Sequence, residues 1–218
     1  DKAIFLQYTD PGYTLFKSLK SEISRYREKH ISDPKMIFLE NHGSFVSADT
    51  TEEIKDIYNY VMSAVMKKVQ PLPVIEAIPY NPILGKALPV IRMLLSEEKA
   101  KIVRFRHNSL IAKYYQNQKE YHKISLPLTP DIIVYCKSRY LFIEQSSTAE
   151  KIIESFRHQL PRFINEYGYL PKVILIKDYG LLAVEQSVSA AESVLDVYED
   201  LIKISHYSSS CGGPKFMS

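Results

Sequence analysis

The residues of this sequence best suited to chemistry lie in one tetrapeptide, Glu40-Asn41-His42-Gly43. It separates two short apolar runs, residues 36–39 and 43–48, which have the length of strands. An imidazole at such a junction can bind a metal ion, exchange a proton near neutral pH, or fill a turn. The residue types alone leave these three roles open.

Two helices are predicted to flank this junction. Residues 15–26 carry apolar side chains at helical spacing with charged residues between them, as in an amphipathic helix. After the junction, Thr50 and Glu53 have the spacing of a capping box, which begins a second helix. The apolar face of that helix consists of Ile54, Ile57, Tyr58, Val61, Met62 and Val65. His42 is therefore expected at a strand–turn–strand junction between two helices.

The prolines and apolar runs organise the rest of the chain. Prolines recur through residues 71–89, which predicts a connector without a regular helix or a central strand. Residues 132–136 and 140–144 are predicted to be two strands joined by a turn. A further helix is expected from Thr148, with Gly168 as its C-cap.

The sequence contains an internal repeat of a helix–strand–turn–strand–helix unit. Residues 34–39, Pro-Lys-Met-Ile-Phe-Leu, align with residues 171–176, Pro-Lys-Val-Ile-Leu-Ile. After a short insertion in the second copy, the helices that follow also align, with residues 56–58 on residues 196–198. One supersecondary unit is therefore predicted to occur twice.

The two copies differ in chemistry at the turn. Residues 40–43, Glu-Asn-His-Gly, correspond to residues 177–180, Lys-Asp-Tyr-Gly. The glycine is retained and the imidazole is not. If His42 only shaped the turn, the second copy would need a similar residue, so its replacement by tyrosine favours a chemical role for His42.

The composition is that of an ordinary globular protein. Of the 218 residues, 45% are hydrophobic and 24% are charged, with a net charge of +3. Because basic and acidic residues are interspersed, we expect no nucleic-acid partner. No apolar stretch reaches the roughly 18–20 residues of a membrane span. The 2 cysteines cannot form a disulfide framework, so a cytoplasmic protein is expected.

Residues 37–65 are similar to the C-terminal part of the class II aldolase/adducin domain, in which a strand ending in Asn-His-Gly precedes a second strand and a Thr-capped helix. A longer frame, residues 8–66 and 126–216, resembles the aldolase portion of rhamnulose-1-phosphate aldolase/short-chain dehydrogenase proteins. The segments that carry this likeness are YTDPGYTLFKSL, LTPDIIVYCKSRYLFIE, PKVILIKDYGLLAV and GGPKF.

The resemblance implies a zinc-dependent aldolase with His42 as one metal ligand. In that family three histidines hold a zinc ion, two from a His-x-His pair and the third from Asn-His-Gly. A nearby carboxylate moves the proton, and zinc acts as a Lewis acid on the enediolate formed when a ketose 1-phosphate is cleaved. Glu40 or Asn41 is the expected hydrogen-bond partner of the second ring nitrogen of His42.

The remainder of that site has no counterpart in the sequence. There is no His-x-His pair, and the other histidines are isolated: His30, His107, His122, His158 and His206. Relatives often carry histidine where this chain has Ile132. Two explanations stay open. Either the missing ligands and the catalytic carboxylate lie N-terminal to this chain, as its start without methionine indicates, or the protein is a non-catalytic scaffold resembling adducins.

The sequence thus predicts an α/β protein with a mostly antiparallel central sheet flanked by helices. We divide it into a class II aldolase-like part at residues 1–70, a connector with a helical segment at 71–125, and a degenerate second repeat at 126–218. The expected activity is cleavage of a ketose 1-phosphate such as rhamnulose 1-phosphate, by a homo-oligomer like the tetramers of this family. The alternative is a scaffold or oligomerisation module.

Several further side chains are given structural roles. His107 is expected on a solvated helix face, Cys136 in a buried strand, and Cys211 at the surface. The 16 tyrosines, some of them within residues 113–121, are expected at an interaction surface.

Overall fold

The structure, a computed structural model, describes residues 3–96, 99–144 and 146–217. The chain divides into two compact units, Asp1–Gln70 and Pro71–Ser218. Both are mixed α/β, with one small sheet and flanking helices in each. No helix of the described residues has the length and apolar character needed to cross a membrane.

The first unit contains a three-stranded sheet in the order β1-β2-β3. β1 (Ala3–Leu6) runs parallel to β2 (Met36–Leu39), and α1 (Tyr13–His30) connects them. β2 and β3 (Gly43–Val46) form an antiparallel hairpin, which α2 (Thr51–Met66) follows.

Both predicted helices of the first unit are confirmed. α1 packs on one sheet face, where period-two alternation of the strands directs every second side chain. This core comprises Ile4, Leu6, Ile37 and Leu39 of the strands with Leu15, Leu19, Ile23 and Tyr26 of α1. The capping threonine also has its expected role, since the Thr50 side chain accepts a hydrogen bond from the Glu53 amide.

The second unit contains a four-stranded sheet in the order β4-β7-β6-β5. Its strands are β4 (Ile102–Arg106), β5 (Leu141–Ile143), β6 (Val173–Ile176) and β7 (Gly180–Glu185). β7 is antiparallel to both of its neighbours, and β5 is parallel to β6. The helices are α3 (Pro82–Leu95), α4 (Ser109–Tyr114), α5 (Gln118–His122), α6 (Pro130–Cys136), α7 (Ala149–Tyr167) and α8 (Val188–Ser208), followed by a 3₁₀ turn at Ser209–Cys211.

Helices cover both faces of this second sheet. α3 and α7 pack on one face, with side chains such as Ile91 and Phe156 against Ile174. α8 packs on the other face together with α4, α5 and α6, and its Tyr198 is completely buried there. This arrangement explains the uniformly apolar sequences of β5, β6 and most of β7, because strands buried on both faces do not alternate with polar residues.

The architecture differs from the predicted single sheet. The described residues form two small sheets, and each sheet combines parallel and antiparallel pairing. The coarser expectation of an α/β protein with helices flanking β-structure holds.

Two predictions of local structure were wrong. The proline-rich stretch contains a regular helix, α3, because Pro82 occupies its first turn, where the missing N–H costs nothing, and Asn81 caps it. Pro89 is accommodated inside the same helix. Residues 132–136 belong to helix α6, which begins at Pro130 with Asp131 in its first turn. A short apolar run does not distinguish a strand from a buried helix, and here the start signals decide it.

Candidate functional site

His42 closes the tight turn of the β2–β3 hairpin, and its side chain is exposed. Its amide donates to the carbonyl oxygen of Leu39 at 3.2 Å. Asn41 has a left-handed φ of 55°, which asparagine adopts more readily than most residues, and Gly43 has a φ of 155°. The backbone therefore fixes the turn while leaving the imidazole accessible.

Glu40 ties this turn to the segment that follows β1. Its amide donates to the carbonyl oxygen of Leu6 at 3.0 Å, and its carboxylate accepts from the amide of Tyr8 at 3.1 Å. The Tyr8 hydroxyl in turn donates to Asp10 at 3.2 Å. A bond from Glu40 or Asn41 to the His42 ring stays a prediction.

The ligand set that a zinc ion requires can be compared with the described residues. A catalytic zinc ion takes three protein ligands and keeps one position open. Among residues 3–96, 99–144 and 146–217, no group of three or more histidine, cysteine, aspartate or glutamate side chains could hold a metal ion. The described residues therefore form no complete zinc site, and the role of His42 as a ligand stays a prediction.

The turn between β6 and β7 repeats the backbone geometry of the His42 turn. Tyr179 stands in place of His42, and its amide donates to the carbonyl oxygen of Ile176 at 3.0 Å. Asp178 has a φ of 67° and Gly180 a φ of 114°, as at the corresponding positions of the first turn. The Lys177 amide donates to the carbonyl oxygen of Ile143 at the end of β5, as the Glu40 amide donates to that of Leu6 at the end of β1. Tyr179 is buried, so this turn presents no exposed imidazole.

His107 is not on a solvated helix face, and that prediction was wrong. It directly follows β4, is buried, and its Nε2 lies 2.7 Å from the Tyr115 hydroxyl. Burial lowers the pKa of His107, and the charge of Asp178 opposes that effect. Burial and Asp178 together raise the pKa of Tyr115 to about 12. β4 was not predicted from the sequence, although charged and apolar residues alternate at 104–106 as they do in strands.

A cavity of about 250 Å³ lies beside the second turn. It is lined by Glu144, Ser146, Ser147, Lys151, Lys177 and Asp178. The two amines could contact a phosphate, but the two carboxylates balance their charge. The lining therefore does not by itself favour an anionic ligand.

The cysteines have the expected exposure, and the tyrosines only partly so. Cys136 is buried, although in α6 and not in a strand, and burial raises its pKa to about 12. Cys211 is exposed. At least 6 tyrosines lie in the core, including those of residues 113–121: Tyr114, Tyr115, Tyr121, Tyr140, Tyr179 and Tyr198. These buried tyrosines therefore do not belong to the expected interaction surface.

Comparison with known proteins identifies the family. No curated protein and no solved structure matches the chain. Residues 82–217 match the family model of the second domain of class II aldolases, which is more than half of the 218 residues. This match lies in the second unit and does not include His42. The chain belongs to the class II aldolase family.

Proposed function

We propose that this protein is a class II aldolase that cleaves a ketose 1-phosphate, such as rhamnulose 1-phosphate, to a ketotriose phosphate and an aldehyde. The observation that carries the proposal is the family match over residues 82–217. Membership of the family supports lyase chemistry on a sugar phosphate in general. The particular substrate is supported by the likeness of residues 8–66 and 126–216 to the rhamnulose-1-phosphate branch.

His42 is our proposed ligand for Zn²⁺. An exposed imidazole on a turn that is fixed at both the His42 and Glu40 amides is held firmly and is open to a metal ion. Because the described residues contain no cluster of three ligands, we place the remaining ligands and the proton-moving carboxylate in polypeptide outside them.

Glu40 and Asn41 are our proposed partners for the second ring nitrogen of His42. The Glu40 carboxylate already accepts one hydrogen bond from the Tyr8 amide. It has two oxygens with several lone pairs, so a second bond from the imidazole is chemically allowed. Such a partner fixes the tautomer of a metal-binding histidine and raises its basicity.

The two units are, in our proposal, two copies of one β–α–β–β–α plan, and the second copy is structural at its turn. In both units a parallel pair connected by a helix is followed by an antiparallel hairpin and a helix. The hairpins have the same register, because Leu39 pairs with Gly43 in the first and the aligned Ile176 pairs with Gly180 in the second. The imidazole is present in the first copy only.

The proposal also covers the domain boundaries, the cellular location and the oligomeric state. We propose that residues 1–70 carry the site, that 71–125 form the intervening segment and that 126–218 form the second repeat. A cytoplasmic homo-oligomer would suit a family of metabolic enzymes, and an N-terminal piece of the same protein would complete the site.

Metal content tests the proposed function. Protein purified from its source should contain about one zinc per copy by plasma mass spectrometry. His42→Ala should lower zinc retention at least about tenfold, because even the loss of a ligand's hydrogen-bond partner costs about 10–100-fold in metal affinity. His158→Ala, which removes an exposed histidine of α7, is the matched control and should retain zinc. Zinc-free protein, or equal retention in both variants, would remove His42 from the site and favour the adducin-like scaffold.

A further inference from the structure

The first sheet exposes aromatic side chains whose counterparts in the second sheet are buried. Phe5 is 67% exposed and Phe45 is 52% exposed. When the hairpins of the two units are aligned, the counterparts are Phe142, 7% exposed, and Leu182, 0% exposed. In the second unit, α8 and its neighbours cover Phe142, and α3 with α7 cover Leu182. Among the described residues, the first sheet therefore lacks the coverage that helices give to the second sheet.

The helix after each hairpin shows the same contrast. Tyr58 and Met62 of α2 are 40% and 54% exposed. Their counterparts in the aligned helix α8 are Tyr198 and Ile202, both 0% exposed. α2 contains no buried residue at all. Its apolar face is thus open where that of α8 is filled.

One strand edge is also open in the first unit. β7 pairs on both sides, with β6 and β4, whereas β3 pairs with β2 alone among the described residues. The Ser47 amide donates to the carbonyl oxygen of Lys35, and alternation along an antiparallel pair then directs the backbone groups of Ser44 and Val46 to the other edge. The counterparts of these two residues are the ones that face β4.

The space that β4 fills in the second unit has an equivalent beside β3 of the first unit, which the described residues leave unfilled. A Cβ added at Gly180 would lie 2.6 Å from the carbonyl oxygen of Arg106, at the end of β4. A Cβ added at Gly43 would meet no atom of the described residues within 4 Å. No residue that the structure describes therefore occupies the position beside the His42 turn that the end of β4 fills in the other copy.

Acidic side chains of α2 correspond to the acidic side chains of α8 that pair with β4. On the second unit Arg104 of β4 pairs with Glu192 at 2.5 Å, and Arg106 pairs with Asp196 at 2.7 Å. At the positions of α2 that align with these two acidic residues, the chain carries Glu52 and Asp56. Neither has an ion-pair partner within 4.0 Å in the part of the chain that the structure describes. α2 thus retains the acidic side chains that bind β4 in the other copy.

We propose that the first unit binds a polypeptide segment with the helix–strand–helix plan of residues 82–136. Its strand pairs antiparallel to β3 through Ser44 and Val46, its helices cover the exposed faces, and basic side chains on it meet Glu52 and Asp56. Because residues 82–136 precede β5 in the chain, the segment is assigned to the region of the full-length protein that precedes β1. This inference rests on the proposal that both units share one plan.

A second copy of residues 82–136 is not the occupant we infer. Leu84 and Ile91 of α3 are 0% exposed within their own unit. All five residues of β4, Ile102–Arg106, are paired with β7. Donating this segment to another copy would unfold the second unit, so a separate segment is required.

Hydrogen–deuterium exchange tests the docking. The 218-residue chain is compared with the protein purified from its source, and a lysine-specific cross-linker reports what lies near Lys55 of α2. We expect a mass above 25.2 kDa, at least tenfold slower exchange of the Ser44 and Val46 amides in the source protein, and cross-links from Lys55 to the preceding polypeptide. A mass of 25.2 kDa, equal exchange, or cross-links only to a second copy or to residues 71–218 would overturn the inference.

A pair of variants of the full-length protein sharpens the test. Met62→Glu should speed exchange of the Ser44 and Val46 amides at least tenfold, because it places a charge in the proposed interface. Tyr60→Glu is the matched control, since Tyr60 is 77% exposed and its counterpart Asp200 is also exposed, and it should leave exchange unchanged. The exchange rates test the docking, and the zinc content tests the proposed function separately. Protected amides without zinc would support the docking and overturn the proposed function, and zinc with unprotected amides would do the reverse.

Discussion

Two buried tyrosines that touch each other are expected to respond oppositely to loss of their hydroxyls. The rings of Tyr140 and Tyr198 meet edge-on, with centroids 4.8 Å apart. The Tyr198 hydroxyl donates to the carbonyl oxygen of Ile124 at 3.0 Å, whereas the Tyr140 hydroxyl has no hydrogen-bond partner among the described residues. Burial raises the pKa of both tyrosines, so both are neutral at pH 7.

The expected magnitudes follow from what each hydroxyl does. Tyr198→Phe removes a hydrogen bond and leaves the carbonyl of the fully buried Ile124 unpaired, which should lower the free energy of unfolding by about 1–3 kcal/mol. Tyr140→Phe removes a polar atom that is desolvated without compensation. Because burying an unpaired hydroxyl costs about 1–3 kcal/mol, this variant should be more stable than wild type by about 1 kcal/mol.

Urea unfolding followed by far-UV circular dichroism measures both effects, since the chain has no tryptophan. The midpoints should shift in opposite directions with unchanged slopes, which would show that stability and not compactness has changed. Both variants keep the aromatic ring, so each controls for the packing of the other. Losses of the same sign in both variants, or no gain in Tyr140→Phe, would refute the reasoning.

Three other predictions concern the second unit. Gly180→Ala should cost about 2–5 kcal/mol, from a contact of 2.6 Å and a φ of 114°, whereas Gly168→Ala, with a φ of 76° and open space, should cost about 1–2 kcal/mol. Lowering the pH from about 7 to 5 should destabilise wild type more than His107→Gln. Burial lowers the pKa of His107 in the folded protein, so as the pH falls the unfolded chain takes up a proton at His107 before the folded protein does, and the equilibrium shifts toward unfolding. A thiol reagent at neutral pH should modify Cys211 quickly and Cys136 only after denaturation, since burial raises the pKa of Cys136 to about 12.

Each of these has a clear contrary result. Equal losses of stability for the two glycine variants in urea would mean that the carbonyl oxygen of Arg106 moves aside. Parallel urea midpoints of wild type and His107→Gln across the pH range would exclude His107 as the titrating group. Rapid modification of both thiols in the native protein would show that α6 opens readily.

Local signals in the sequence were sufficient for several helices and for the turn that contains His42. The Thr50 cap, the apolar spacing of α1 and the left-handed C-cap at Gly168 all depend on residues within a few positions of one another. The position of His42 at a hairpin turn followed from the same kind of rule. Such features can be read from a single chain because the interactions that produce them are short in sequence.

The missed features depend on contacts between distant residues. β4 contains Arg104 and Arg106, whose charges suggest solvent exposure. They instead pair with acidic residues of α8, which comes much later in the sequence. His107 is buried for the same reason, because Gly180 and Tyr115 close around the end of that strand. No further metal ligand beside His42 could be predicted, since the sequence contains no His-x-His pair and its other histidines are isolated.

The pairing of β4 with β7 also has a kinetic consequence. Arg106 pairs with Leu181, and four helices and two strands lie between them in the chain, whereas β6 and β7 are joined by a tight turn. Closing long loops is slow relative to forming a hairpin, so the β6–β7 hairpin should form before β4 joins it. During synthesis β4 emerges first and must wait for its partner. The second unit can therefore complete its sheet only when nearly all of its chain has left the ribosome.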